Sequence, residues 1–296
     1  MKLFFKNRIK SFSFLSKNKK SKIGIAFGGG GARGFAHLGV IKAFEEYGIT
    51  CKDFSMIVGT SAGSIIGAFY AAGYNFSQMM KVAKSIDKSE IKTNRIPFLP
   101  SKTDGIENII KKYLNDINIE DLPHNFACVA CDIKSTKEIV LRKGNLAKAI
   151  AGSCCVPGVF VPVIFNNYHL CDGGLKNTIP TNIPKKFGCD YVIGVDVNKH
   201  RGYGTDSLKV IDVASCSIRI LMENTALRGY LHADVMIGPE TKRFSASKTE
   251  GMMDMIEEGY KETIDKMPEI LSILNKKPQK SKTKKMFMEE EVEVNG

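Results

Sequence analysis

Gly59-Thr60-Ser61-Ala62-Gly63 places a serine between two glycines, after the apolar Met56-Ile57-Val58 and before a run of small residues to Gly73. G-x-S-x-G at a strand-to-helix turn makes a nucleophile elbow. Its small neighbours admit a strained serine backbone, and the turn lifts the hydroxyl out of the fold. The pentapeptide alone reads equally well as a glycine-rich helix start capped by serine. About thirty residues earlier stands Gly28-Gly29-Gly30-Gly31-Ala32-Arg33-Gly34, running into a helical pattern. Bare N–H groups at the positive end of a helix dipole bind an anion, either a phosphate or a tetrahedral oxyanion. Gly29-x-Gly31-x-x-Gly34 matches the dinucleotide spacing, but that site wants an acid at the end of the next strand. Here the next strand ends Val58-Gly59-Thr60-Ser61, and no Gly-Lys-Ser/Thr follows the loop. An oxyanion hole fits better, because the glycine-flanked serine tops the adjacent strand. Donors of this kind lower the barrier by roughly 3–4 kcal/mol each.

A serine nucleophile needs a base. The histidines are 37, 124, 169, 200 and 232. His37 lies early in the first helix and reads as a packed or capping residue, and His169 falls within a strand. His200 follows the apolar stretch Asp190–Val197 and is the one histidine placed to complete a triad. Against it stands Asp172, which ends the strand Tyr168–Cys171 and is freed by Gly173 and Gly174. A buried carboxylate is a stronger base than one in water, because desolvation raises its pKa. The α/β-hydrolase order places the nucleophile after several strands. Here Ser61 follows only the second.

These residues need a scaffold, and the hydrophobic pattern supplies one. Residues 22–29 and 53–59 read as buried strands, and residues 32–49 and 62–73 as helices. Further helices are expected near 76–86 and 104–116, with the Pro-bounded apolar loop 95–102 between them. Residues 126–133 and 137–144 read as a strand pair, and 145–154 as a helix. Two short strands flank Asn166-Asn167, and another buried strand spans 190–197. An amphipathic stretch covers 207–229, a last strand 233–239, and a last helix 251–267. Strands alternating with helices predict an α/β fold, a three-layer α/β/α sandwich with a mainly parallel central sheet. Met56–Tyr74 carries no charge and mimics a membrane span, but it resolves into a short strand and a small-residue helix capped at Gly73.

The formal charge of +12 sits at the ends of the chain. Residues 1–22 hold eight Lys/Arg and no acid, residues 276–285 hold six Lys, and four Glu follow, leaving residues 23–275 nearly neutral. That pattern excludes a nucleic-acid-binding core and predicts three parts. A flexible basic N-terminal arm occupies 1–22, a catalytic domain 23–275, and a low-complexity charged tail without fixed structure 276–296. The arm also carries Phe4, Phe5, Phe12 and Phe14, which suits peripheral contact with an anionic membrane. Its longest apolar run is three residues, too short for a secretory signal, so the expected location is cytoplasmic, at or near a membrane surface. Eight cysteines lie mostly in apolar runs, with no disulfide framework. Cys128-x-x-Cys131 lacks a second pair at metal-binding spacing. No metal and no cofactor is expected.

In this order, Gly28–Gly34, Gly59–Gly63 and Asp172–Gly174 resemble the patatin-like phospholipase family in its bacterial branch. His37–Ile49, Gly152–Val163 and Ile256–Tyr260 add to the likeness, which covers about residues 23–270. The resemblance implies a Ser–Asp dyad without histidine: Ser61 as nucleophile, Asp172 as base, and Gly29, Gly30 and Gly31 with Arg33 as the oxyanion loop. Gly34, Gly59, Gly63, Gly173 and Gly174 complete the motifs. It implies an acyl hydrolase acting on a phospholipid or other acyl ester. The alternative is a lipid-binding or regulatory protein of the same fold with little turnover. A nucleotide-binding protein is a third class, and it predicts stabilisation by NAD or ATP.

Overall fold

The computed structural model describes residues 21–86, 101–199, 208–278 and 293–295. Most of the basic arm, the loop 87–100, His200 and residues 279–292 lie outside the described residues. The first four strands are β1 (Ile23–Phe27), β2 (Met56–Thr60), β3 (Phe126–Asp132) and β4 (Glu138–Leu141). They are followed by β5 (Val163–Phe165), β6 (Tyr168–Asp172), β7 (Tyr191–Val195), β8 (Val235–Ile237) and β9 (Glu293–Asn295). The sheet runs in the order β5-β6-β3-β2-β1-β7-β8, with β4 also paired to β3 and β9 to β4. β1, β2, β3, β7 and β8 are mutually parallel where they pair. β4 and β6 run antiparallel to β3, and β5 antiparallel to β6.

Every residue of β1 to β4 is buried. Helices cover both faces, so the strands read as continuous apolar runs. Alternate residues serve opposite layers. Ile57, Phe126, Cys128, Ile139 and Ile193 join the larger core, while Met56, Val58, Ala127, Val129 and Val140 join the smaller one. The larger core packs against α1 (Ala36–Glu46), α2 (Ala62–Ala71), α4 (Asp104–Leu114), α5 (Leu146–Ser153) and α8 (Met252–Leu274). The smaller core lies under α6 (Asn182–Lys186), beside α7 (Val210–His232). α3 (Phe76–Ser85) leans on α1. The three-layer α/β/α expectation holds.

Four boundaries differ from the sequence reading. A 3-10 turn over Gly31–Phe35 precedes α1, because the loop is still tied to other elements there. α8 runs through Pro268 to Leu274 instead of stopping at Met267. Burial of Ile270 and Ile273 offsets the one helix hydrogen bond that a proline removes. The stretch read as 207–229 is helical to His232. Within the tail expected to lack structure, Glu293–Asn295 lies parallel to β4. No described helix is long and apolar enough to cross a membrane.

Candidate active site

Ser61 joins β2 to α2 with φ 52° and ψ −127°, in the left-handed region that costs a non-glycine residue energy. Its neighbours must be glycines for steric reasons. A Cβ on Gly59 would stand 2.5 Å from Ser64 Cα, and one on Gly63 would stand 2.6 Å from the Gly28 carbonyl oxygen. The strained backbone is pinned from both sides. Ser61 N–H donates to Ser153 Oγ at 2.9 Å, and Ser153 Oγ donates onward to the Val129 carbonyl at 2.6 Å. Ser64 Oγ donates to the Ser61 carbonyl at 2.6 Å. These bonds hold the Ser61 backbone and leave its hydroxyl for chemistry.

Sheet register brings Asp172 to this serine. β2 pairs with β3 as far as Thr60 opposite Val129. On the same side of β3, β6 takes over at the next residue, with Asp172 opposite Ala130. Ser61 and Asp172 therefore leave two strands that meet end to end along β3. The Asp172 N–H donates to the Cys155 carbonyl at 2.8 Å, and Gly174 N–H donates to Asp172 Oδ1 at 2.8 Å. Asp172 Oδ2 is buried without a hydrogen-bond partner among the described residues, although the Ser61 hydroxyl is close enough to favour the charged carboxylate. Burial dominates, and it pushes the Asp172 carboxyl from 3.8 up to about 6. The neighbouring Cys154 thiol is held in its neutral form by burial and by the Asp172 charge.

The glycine loop lies beside the elbow, since a Cβ on Gly29 would stand 3.3 Å from Ser61 Cβ. Its donors are not all available. Gly28 N–H donates to the Val195 carbonyl at 2.9 Å, and Gly29 N–H donates to the Thr178 carbonyl at 3.0 Å. Ala32 N–H is taken by the Ala246 carbonyl at 2.7 Å. The expectation that Gly29, Gly30 and Gly31 all offer free N–H groups is therefore corrected. Only those of Gly30 and Gly31 lack an acceptor among the described residues. Gly31 adopts φ 57°, which turns the chain there. Arg33 is also reassigned. Its buried guanidinium donates to the Phe244 carbonyl at 2.9 Å and to Asn198 Oδ1 at 2.8 Å. Asn198 Nδ2 in turn donates to the Gly29 carbonyl at 2.8 Å. Arg33 is a strut that braces the loop.

The remaining motif residues are spacers. Gly34 lets the loop approach α2, where a Cβ would meet Ala62 Cβ at 2.8 Å. Gly173 lies against the Val129 backbone, and Gly174 supplies the N–H on Asp172. His37 is fully buried, with its ring edge-on to Phe27, and Nε2 donates to the Gly28 carbonyl at 2.9 Å. Burial lowers its pKa to about 4, so it is neutral and structural, as its position predicts. His169 lies in β6. No described histidine bonds to Asp172, whose hydrogen-bonding neighbours are Ser61 and Gly174. Among the described residues no group of three His, Cys, Asp or Glu could hold a metal ion. Sequence reasoning missed Ser153 and Asn198. Ser153 lies within Gly152–Val163, but nothing in that stretch marks its hydroxyl as the prop under Ser61.

Residues 25–184 match the family model for patatin-like phospholipase. The chain belongs to the patatin-like phospholipase family. All three glycine motifs fall inside the match. The lysophospholipase NTE1 of Candida albicans is 33% identical over 182 residues, which make up 59% of this chain and 13% of that protein. An uncharacterised NTE family protein of Mycobacterium bovis is 31% identical over 181 residues, 60% of this chain and 49% of that one. The chain thus spans half or less of the length of these relatives. Among solved structures, VipD from Legionella pneumophila superimposes with a TM-score of 0.57 at 16% identity, over 83% of this chain and 66% of that one. That likeness is one of fold.

Proposed function

We propose that this patatin-like chain is a lipid acyl hydrolase working through a Ser61 acyl-enzyme with Asp172 as base. The observation that carries the reading is the meeting of a strained, buried serine with a buried carboxylate whose Oδ2 has no hydrogen-bond partner among the described residues. A substrate ester carbonyl lies over Ser61 with its oxygen toward the N–H groups of Gly30 and Gly31. Asp172 takes the Ser61 proton while the serine oxygen bonds to the carbonyl carbon. The two N–H groups and the N-terminus of α2 stabilise the oxyanion. Collapse breaks the ester C–O bond, and the alcohol leaves with the proton held by Asp172. Water then attacks the acyl-enzyme, again losing its proton to Asp172, and releases the fatty acid with Ser61 restored.

Family membership and the NTE1 name point to glycerophospholipids or lysophospholipids as the substrate class. The basic arm at residues 1–22 supports a peripheral contact with anionic membrane. Hydrolysis of a short-chain nitrophenyl ester and labelling by a fluorophosphonate test the chemistry. Ser61→Ala abolishes both, Asp172→Asn abolishes hydrolysis, and His200→Ala retains it. A wild-type protein that binds phospholipid without hydrolysing any ester and resists labelling is a lipid-binding protein instead. Sedimentation with anionic vesicles, with and without residues 1–22, tests the arm, and equal binding removes it from the reading.

A further inference from the structure

α7 has two faces that do opposite things. One face packs on the body of the protein. Thr225 Oγ1 donates to the Gly174 carbonyl at 2.8 Å, and Thr181 Oγ1 donates to the Gly229 carbonyl at 2.6 Å. Met222 meets Gly174, and Gly229 lies against Ile179. The opposite face is apolar and open to solvent. Val210, Ile220, Leu227 and Leu231 are 78%, 53%, 57% and 80% exposed, and Val213 is exposed as well.

The spacing of that face is specific. Val210, Val213, Ser217, Ile220, Asn224, Leu227 and Leu231 follow alternating steps of three and four residues. That is the a/d pattern of a helix that pairs with another helix. Met222 and Gly229 then fall at f, the position opposite the seam, which is why they face the body. A lone surface helix has no use for five outward apolar residues at a/d spacing over three heptads.

We infer that this seam is the contact through which two copies of the chain associate, with their α7 helices parallel about a two-fold axis. The pattern favours a second copy over a lipid surface. The middle of the seam carries exposed Ser217 and Asn224, and the helix balances Asp212 and Glu223 against Arg219 and Arg228, where a helix lying on anionic lipid carries an excess of Lys and Arg. A single Asn at an a position instead sets register in a parallel helix pair. In that register Glu223 at g faces Arg228 at e of the other copy, a pairing of opposite charges. Arg228 already bonds Glu138 at 3.1 Å and would gain a second carboxylate. A standard interface takes roughly 800 Å² from each partner. A helix of 23 residues, about 35 Å long, reaches that order when paired along its length.

Sedimentation velocity of the full chain over a micromolar concentration series tests this. Wild type runs at twice the monomer mass. Leu227→Glu loses the dimer species and keeps a cooperative thermal transition, because residue 227 is exposed in the monomer; its midpoint no longer depends on protein concentration. Asn224→Val removes the polar seam residue and tightens the dimer about tenfold. A wild type that stays monomeric overturns the inference, and so does a dimer that Leu227→Glu leaves intact. Monomeric wild type that floats with vesicles, and stops doing so with Leu227→Glu, assigns the seam to lipid and equally overturns it.

Discussion

Replacing Asp172 by asparagine separates what the carboxylate does for chemistry from what it does to the fold. The side chain is fully buried, and its pKa rises from 3.8 to about 6, with desolvation outweighing the help of Ser61 and Gly174. A carboxylate raised in the folded state holds its proton longer than in the unfolded chain. Below pH ~4 both states are protonated and the group costs nothing. Between pH ~4 and ~6 the unfolded chain releases the proton while the folded one keeps it, so stability falls by about 1.4 kcal/mol per pH unit. Above pH ~6 both are ionised, and the accumulated cost of ~3 kcal/mol is constant. Asparagine has the same shape, keeps an oxygen for Gly174 N–H and carries no charge. Asp172→Asn is therefore expected to be more stable than wild type by up to ~3 kcal/mol at pH 8, or roughly 6–12 °C for a domain of this size. The gain shrinks to nothing at pH 4, while hydrolysis is lost at every pH. Urea melts of both proteins at pH 4 and pH 8 measure it. An equal gap at the two pH values, or a less stable Asp172→Asn at pH 8, refutes the buried-base reasoning.

Other consequences are simpler to state. The pH–rate profile of ester hydrolysis should fall tenfold per unit below about pH 6, because only ionised Asp172 accepts the Ser61 proton; a flat profile down to pH 4 removes Asp172 as base. Ser153→Ala leaves the buried Ser61 N–H without an acceptor and should cost ~1–3 kcal/mol in a urea melt together with a drop in kcat, and an unchanged kcat would show that the prop is dispensable. Gly59→Ala forces a Cβ into the backbone of Gly63 and Ser64 and should destabilise by upward of ~2 kcal/mol, read as loss of soluble protein or of thermal midpoint.

The elements were legible because each is locally consistent. Ile23–Phe27 and Met56–Thr60 are short apolar runs bounded by turn residues, and both are buried strands. Gly73 ends α2 with φ 88°, where a left-handed cap was expected. The misreadings arose where tertiary contacts override a local rule. Pro268 is an end signal on its own, but the buried Ile270 and Ile273 beyond it carry α8 onward. Gly29 carries no mark that its N–H faces Thr178, because that acceptor is more than a hundred residues away. The apolar residues of 207–229 are spaced as an amphipathic helix, and periodicity alone does not say which face meets the body.

The proposed dyad shows how sheet register brings together two residues far apart in the chain. Ser61 and Asp172 share no element, but both are placed by β3. Thr60 opposite Val129 and Asp172 opposite Ala130 are consecutive pairings on one side of that strand. A slip of one residue in β6 would turn Asp172 to the other face of the sheet, so the placement of Asp172 beside Ser61 is as stable as the register. The register is held by burial. Leu170 and Cys171 are buried, the Asp172 N–H is fixed on Cys155, and Gly173 fits against Val129 only because it has no Cβ. The same Val129 carbonyl accepts from Ser153, which holds Ser61. One residue of β3 thus references both Ser61 and Asp172, and no described histidine bonds to Asp172.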